Sequence, residues 1–220
     1  MNGGVSSDPA PPPSLAAWWP LPGRTDLRDA LTRAYASSSR GHHGLTHLSE
    51  VLAHLDELAD HVDDLATVRL AAWFHDAVYD AEPDPEGRSA AWAERELAEH
   101  PERAEVVRLV LLTRDHDPAP GDRDGEALCD ADLAILAAPS ERYDEYAAGV
   151  RHEYATVPDA LFRQGRAEVL RTLLQRPALF RTAHGRAAWE DRARDNVARE
   201  LQQLSRPAAS DDAGRPGAGG

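Results

Sequence analysis

His75 and Asp76 stand side by side inside LAAWFHDAVYD, an apolar stretch where an ionisable pair is out of place. Burying an unpaired carboxylate there costs roughly several kcal/mol or more. Something cationic must compensate both groups, and a metal ion would do so; the plainer alternatives are exposure to solvent or pairing of Asp76 with an arginine. Upstream, RGHHGLTHLSEVL puts His42 and His43 in a turn and His47 in the first turn of a helix. His54 and His61 follow at seven-residue steps along the same edge of that helix's apolar stripe, so periodicity alone does not choose among the three. Downstream, TRDHD ends an apolar helix with His116, and EALCDADLAIL sets Asp130 and Asp132 in another apolar run. Two residues apart, these aspartates face different sides of a helix. One should point inward and the other should cap a segment or pair with an arginine. Cys129 reads as a small buried apolar residue.

The elements that must position these groups are helical throughout. Apolar residues recur at three- and four-residue steps from Leu27 to Leu204, with no alternating β-branched run, which predicts an all-α domain. Helices are expected over 25–35, 45–62, 65–79, 88–99, 102–113, 126–136, 141–157, 159–175 and 186–204, broken by Pro101, the DPAPGDRDG stretch, Pro139, Pro158 and Pro177. Residues 1–22 and 205–220 are rich in Gly, Ser, Pro and Ala and read as largely disordered tails around one domain over 23–204. Leu15, Trp18 and Trp19 are the residues able to pin the first tail onto the domain.

Charge narrows the chemistry. With 38 acidic against 24 basic residues the 220-residue chain carries a formal −14, which disfavours binding to a nucleic acid polymer. All 24 basic residues are arginine, which removes Schiff-base chemistry and the lysine of a phosphate-binding P-loop. The single Cys129 excludes an intramolecular disulfide and a cysteine-rich zinc site, whereas ten histidines are available as nitrogen ligands. No apolar stretch approaches the roughly 18 residues of a membrane span, and residues 1–13 carry no secretory pattern, so a cytoplasmic protein without a membrane partner is expected.

The order of a histidine near a helix start, then His-Asp, a further histidine, and an aspartate followed by Leu resembles the H…HD…D signature of the HD-domain metal-dependent phosphohydrolases. The resemblance is closer to a small bacterial branch of predicted HD phosphohydrolases, with a histidine-rich turn (RGHHGLTH), FHDAVY from Phe74, DADL from Asp130, an R-x-EY segment at Arg151–Tyr154, Gly165-Arg166 and an AR-x-N segment at Ala193–Asn196. It covers about Leu27 to Leu204. One departure is Pro85-Glu86 before Ser89-Ala90, where that branch has an Asn-Glu pair.

The resemblance implies an HD-type helical domain whose metal ligands are His47, His75, Asp76 and Asp132. Asp132 is preferred over Asp130 for its Ala-Asp-Leu context. His116 matches a histidine that touches a second metal or the substrate in some HD enzymes, and Asp76 and His116 are the expected catalytic groups. Two imidazoles and two carboxylates suit Mn, Fe, Co, Ni, Zn or Mg and leave coordination positions for water. Water on such an ion ionises near neutral pH and attacks phosphorus. The expected reaction is hydrolysis of a phosphate ester or anhydride of a small metabolite, a nucleotide first among them. With no lysine, positive charge for the phosphate falls to arginine, with Arg114, Arg151, Arg166 and Arg194 as candidate anchors and His43 as a further substrate contact. Two alternatives stand beside this reading: a catalytically silent HD-fold module that binds metal or nucleotide for regulation, and an HD-fold oxygenase with a di-iron centre.

Overall fold

The computed structural model describes residues 14–37, 40–80 and 82–206. Ten α-helices follow one another, and no strand occurs among the described residues: α1 Thr25–Tyr35, α2 Leu45–Glu57, α3 Leu65–Phe74, α4 Pro85–Glu96, α5 Arg103–Leu112, α6 Arg123–Leu133, α7 Ser140–Glu153, α8 Asp159–Gln175, α9 Ala183–Ala188 and α10 Glu190–Ser205. Short 3-10 turns occupy Leu15–Trp18, Ala59–His61 and Ala134–Ala137. The domain is all-α, as the periodicity predicts.

α3 is the centre. Asp64 caps it by accepting from the amides of Ala66 and Thr67, and Val68, Leu70, Ala71, Ala72, Trp73 and Phe74 are all buried. α2, α5 and α6 surround it, α4 pairs with α5, and α10 packs on α8 and the 134–137 turn. α2, α3 and α6 therefore converge on one core, which brings residues from positions 47, 75 and 132 within reach of one another.

Several boundaries differ from the sequence expectation for local reasons. α3 stops at Phe74 rather than running to Tyr79, because Arg40 takes the carbonyls of Asp76 and Ala77 at 2.7 and 2.9 Å. The His75-Asp76 pair thus lies at the end of the helix, not inside it. α4 begins earlier, at Pro85, with Asp84 as cap, and α6 begins earlier behind the Asp122 cap on the Gly125 amide. The expected last helix divides at Trp189 into α9 and α10.

The first 22 residues are not all tail. Trp18 is buried and donates its Nε1–H to Asp56 at 2.7 Å, and Trp19 packs edge-on against Trp73 with ring centres 5.1 Å apart. Trp18 and Trp19 thus pin the residues ahead of α1 onto the domain. The rest of the two expected tails, 1–13 and 207–220, lies outside the described residues. No helix among the described residues is long and apolar enough to cross a membrane.

Candidate metal centre

His47, in the first turns of α2, and His75, directly after α3, bring their Nε2 atoms to 3.2 Å of each other. Asp132, in the last turn of α6, places Oδ1 3.0 Å from His47 Nε2 and 3.7 Å from His75 Nε2. These three side chains offer ligand atoms that all lie within 4.8 Å of one another. Asp76 adds Oδ2 at 3.5 Å from His47 Nε2 and 3.1 Å from His75 Nε2. The structure thus gathers the four residues expected to hold metal.

The donor chemistry fits a cation. His75 Nδ1 lies 2.7 Å from the Ala72 carbonyl oxygen, which only accepts. In the neutral ring the proton therefore sits on Nδ1, which leaves the Nε2 lone pair for a cation, the arrangement usual for a ligating histidine. Burial pushes the carboxyls of Asp76 and Asp132 up, but the facing imidazoles outweigh it and hold both well below the usual carboxylate range. Burial lowers His47, yet its contacts with Asp132 and Asp76 raise it to about 9, and Asp76 likewise lifts His75.

His116 completes the rim. Its Nε2 lies 2.8 Å from Asp132 Oδ2, so this carboxylate faces the two buried histidines with one oxygen and His116 with the other. His116 sits in the left-handed region at φ 49°, an uncommon conformation for a residue with a side chain. Arg176 holds the turn there by donating to the carbonyls of Asp115 and His116 at 2.8 and 3.1 Å.

Asp130 is elsewhere. It is buried and accepts from the amides of Arg181 and Thr182 and from the Thr182 hydroxyl at 2.7, 2.8 and 2.7 Å, tying down the segment ahead of α9. Its role is the capping one that the two-residue spacing allowed. His54 meets Glu57 and makes a T-shaped contact with Trp189, and His61, in the turn after α2, lies near His184, so of these three histidines only His47 joins the cluster.

The histidine-rich turn is clamped against α7. Glu153 Oε1 accepts from the amides of Gly41, His42 and His43 at 2.9, 2.8 and 3.0 Å, while Oε2 meets His43 Nδ1 at 2.8 Å. Burial raises the Glu153 carboxyl, but these hydrogen bonds prevail and hold it below its ordinary range. Gly41 and Gly149 touch backbone to backbone, leaving no room for a Cβ at Gly41. The His43 ring stacks on Tyr79 at 3.8 Å and lies edge-on to His47 at 5.7 Å. His42 is buried 4.5 Å from both His47 and Tyr146, and burial, with His47 and His43 adding to it, keeps its imidazole neutral.

The four candidate arginine anchors meet other partners. Arg151 donates to the carbonyls of Tyr154 and Val157 at 2.6 and 3.2 Å and lies over Phe162, bracing the α7–α8 connection. Arg194 joins Glu190 and the carbonyls of Leu174 and Arg176. Both side chains serve as braces in this structure rather than facing the cluster as phosphate anchors. Arg166 forms a buried pair with Glu200 and donates to the Tyr146 hydroxyl at 2.9 Å, which places it behind His42. Arg114, half exposed, pairs with Asp84 and stands 3.9 Å from Glu86.

Sequence reasoning passed over three supports. Arg40 donates to the carbonyls of His43, Asp76 and Ala77. The Tyr35 hydroxyl accepts from the Asp76 amide at 3.1 Å. Glu153 stood only as the acidic residue of the R-x-EY segment. The signals were present in the R of RGHHG and the E of R-x-EY, but their contacts are mostly with main chain.

A family model described as HD domain matches residues 44–150. No curated protein and no solved structure matches the chain.

Proposed function

We propose that this chain, whose residues 44–150 match the HD-domain family model, is a metal-dependent phosphohydrolase that hydrolyses a phosphate ester or anhydride of a small metabolite, a nucleotide being the first class to test. One observation carries this reading: two imidazole nitrogens and a carboxylate from α2, the end of α3 and α6 converge within 4.8 Å, with Asp76 beside them.

In this reading His47, His75, Asp76 and Asp132 would hold one divalent ion, which when bound would supply the means to ionise a water near neutral pH and to withdraw charge from a phosphoryl oxygen. The chain does the rest. The Ala72 carbonyl fixes the His75 tautomer, and His116 steadies the outer oxygen of Asp132. Arg40 and Tyr35 hold the backbone that carries Asp76. Arg114 is the candidate anchor whose guanidinium stays open to solvent near His116.

The test is metal analysis of the purified protein followed by a screen of phosphorylated metabolites, with His75→Ala as control. Wild type should carry about one divalent ion per chain and release phosphate, and the variant should do neither. Metal-loaded wild type that hydrolyses no phosphate ester or anhydride would replace this reading with the regulatory module, and redox-active iron would favour the oxygenase.

A further inference from the structure

Glu153 does two jobs with two oxygens. Oε1 fastens three consecutive amides of the 41–43 turn, and Oε2 faces His43 Nδ1 at 2.8 Å. A carboxylate accepts only, so Nδ1 carries the proton whether His43 is neutral or charged. Tyr79, stacked on the ring at 3.8 Å, fixes its plane. The other nitrogen, Nε2, has no protein partner among the described residues, on a side chain that is 20% exposed. Its ring stands edge-on to His47, 5.7 Å away. A buried carboxylate thus orients an imidazole whose second nitrogen is left without a protein partner beside the His47–His75–Asp132 cluster. That is the geometry of a general acid and its orienting partner.

We propose that His43 is the catalytic acid that protonates the departing oxygen, with Glu153 as its positioning residue; this rests on the phosphohydrolase reading above. The water oxygen forms a new bond to phosphorus as the ester P–O bond breaks. The leaving oxygen keeps that electron pair and takes the proton from His43 Nε2. The proton shed by the attacking water passes to solvent, from which His43 is recharged. The Nδ1 proton stays on the Glu153 side throughout.

The experiment compares two synthetic esters in wild type, His43→Gln and Glu153→Gln. Phenyl phosphate releases a phenol of pKa about 10 and needs a proton; p-nitrophenyl phosphate releases a stabilised anion and does not. Glu153→Gln is the near-isosteric change: its amide oxygen still accepts from the turn, but its NH2 no longer accepts from Nδ1. Both variants should lose about 100-fold or more on phenyl phosphate and less than about 10-fold on p-nitrophenyl phosphate. Nitrogen NMR of the histidine rings gives a readout apart from turnover: His43 should be protonated at Nδ1 in wild type and shift to Nε2 in Glu153→Gln. Equal losses on both esters, or none, would overturn the inference alone. Wild type that turns over neither of these esters nor any phosphate ester or anhydride of the metabolite screen would overturn the phosphohydrolase reading and this inference with it.

Discussion

Asp130→Ala and Asp132→Ala, two residues apart on α6, should fail in opposite ways. Asp130 is completely buried and accepts three hydrogen bonds, from the Arg181 and Thr182 amides and the Thr182 hydroxyl. Removing its carboxylate strands three buried donors, each worth about 1–3 kcal/mol. Burial already pushes the Asp130 carboxyl up, so the variant recovers part of that loss by no longer burying a charge. A net cost of about 3 kcal/mol follows, and a domain of this size loses about 2–4 °C of Tm per kcal/mol, giving a fall of about 6–12 °C. Metal content should stay at the wild-type level. Asp132→Ala should do the reverse. It removes the oxygens that face His47 and His116 at 3.0 and 2.8 Å, so metal should be lost while metal-free Tm changes by no more than a few degrees. Calorimetry with and without chelator, beside elemental analysis, reads both quantities. If Asp130→Ala melts like wild type, or sheds metal while Asp132→Ala keeps it, the division of labour drawn here is wrong.

Trp18→Ala should lower stability by about 3 kcal/mol in urea titration, since a buried indole and its bond to Asp56 are lost together; an unchanged midpoint would return this segment to the tail. Asp64 caps α3, and the Thr67 side chain, helped by the Thr67 and Ala66 amides, holds its carboxyl below the ordinary 3.8. The cap contributes above the unfolded value and is lost as pH falls through the folded one. The Asp64→Ala deficit of about 1 kcal/mol should therefore be full near pH 7 and shrink below 3.8, and a deficit independent of pH would contradict the assignment. Burial pushes the Cys129 thiol well up, so a maleimide dye should label it only as fast as the protein unfolds; stoichiometric labelling of the native state within minutes would show that the site is open.

Local signals were legible. α1 and α8 begin and end where the sequence predicts, at Thr25–Tyr35 and Asp159–Gln175, because caps, breakers and prolines act on their own neighbours. The end of α3 was not, since it depends on Arg40, which lies 36 residues upstream of the Asp76 carbonyl it takes. Resemblance picked His47 where periodicity left it level with His54 and His61, and only packing shows why: His75 and Asp132 meet His47, whereas His54 faces Glu57 and Trp189. The aspartate pair was half legible, because the spacing split their roles while the partners of Asp130 lie more than 50 residues away. Arg151 and Arg194 look like free cations in a sequence with no lysine. Their partners include main-chain carbonyls, which leave no mark on residue identity.

The contact of Gly41 with Gly149 and the reach of Glu153 across the same turn set the size of the working unit. Gly149 and Glu153 are four residues apart, one turn of α7, so a single stripe of that helix both touches the histidine-rich turn and clamps its amides. The span 44–150 that the HD-domain family model matches begins just after this turn and ends just before its clamp. A fragment trimmed to that span would keep His47, His75, Asp76, His116 and Asp132 and lose Arg40, His43 and Glu153. Such a fragment would be a poor vehicle for assays, however well it held an ion: the residues that gather the cation lie inside the span, and those that hold the turn beside it flank it on both sides, at Arg40 and Glu153.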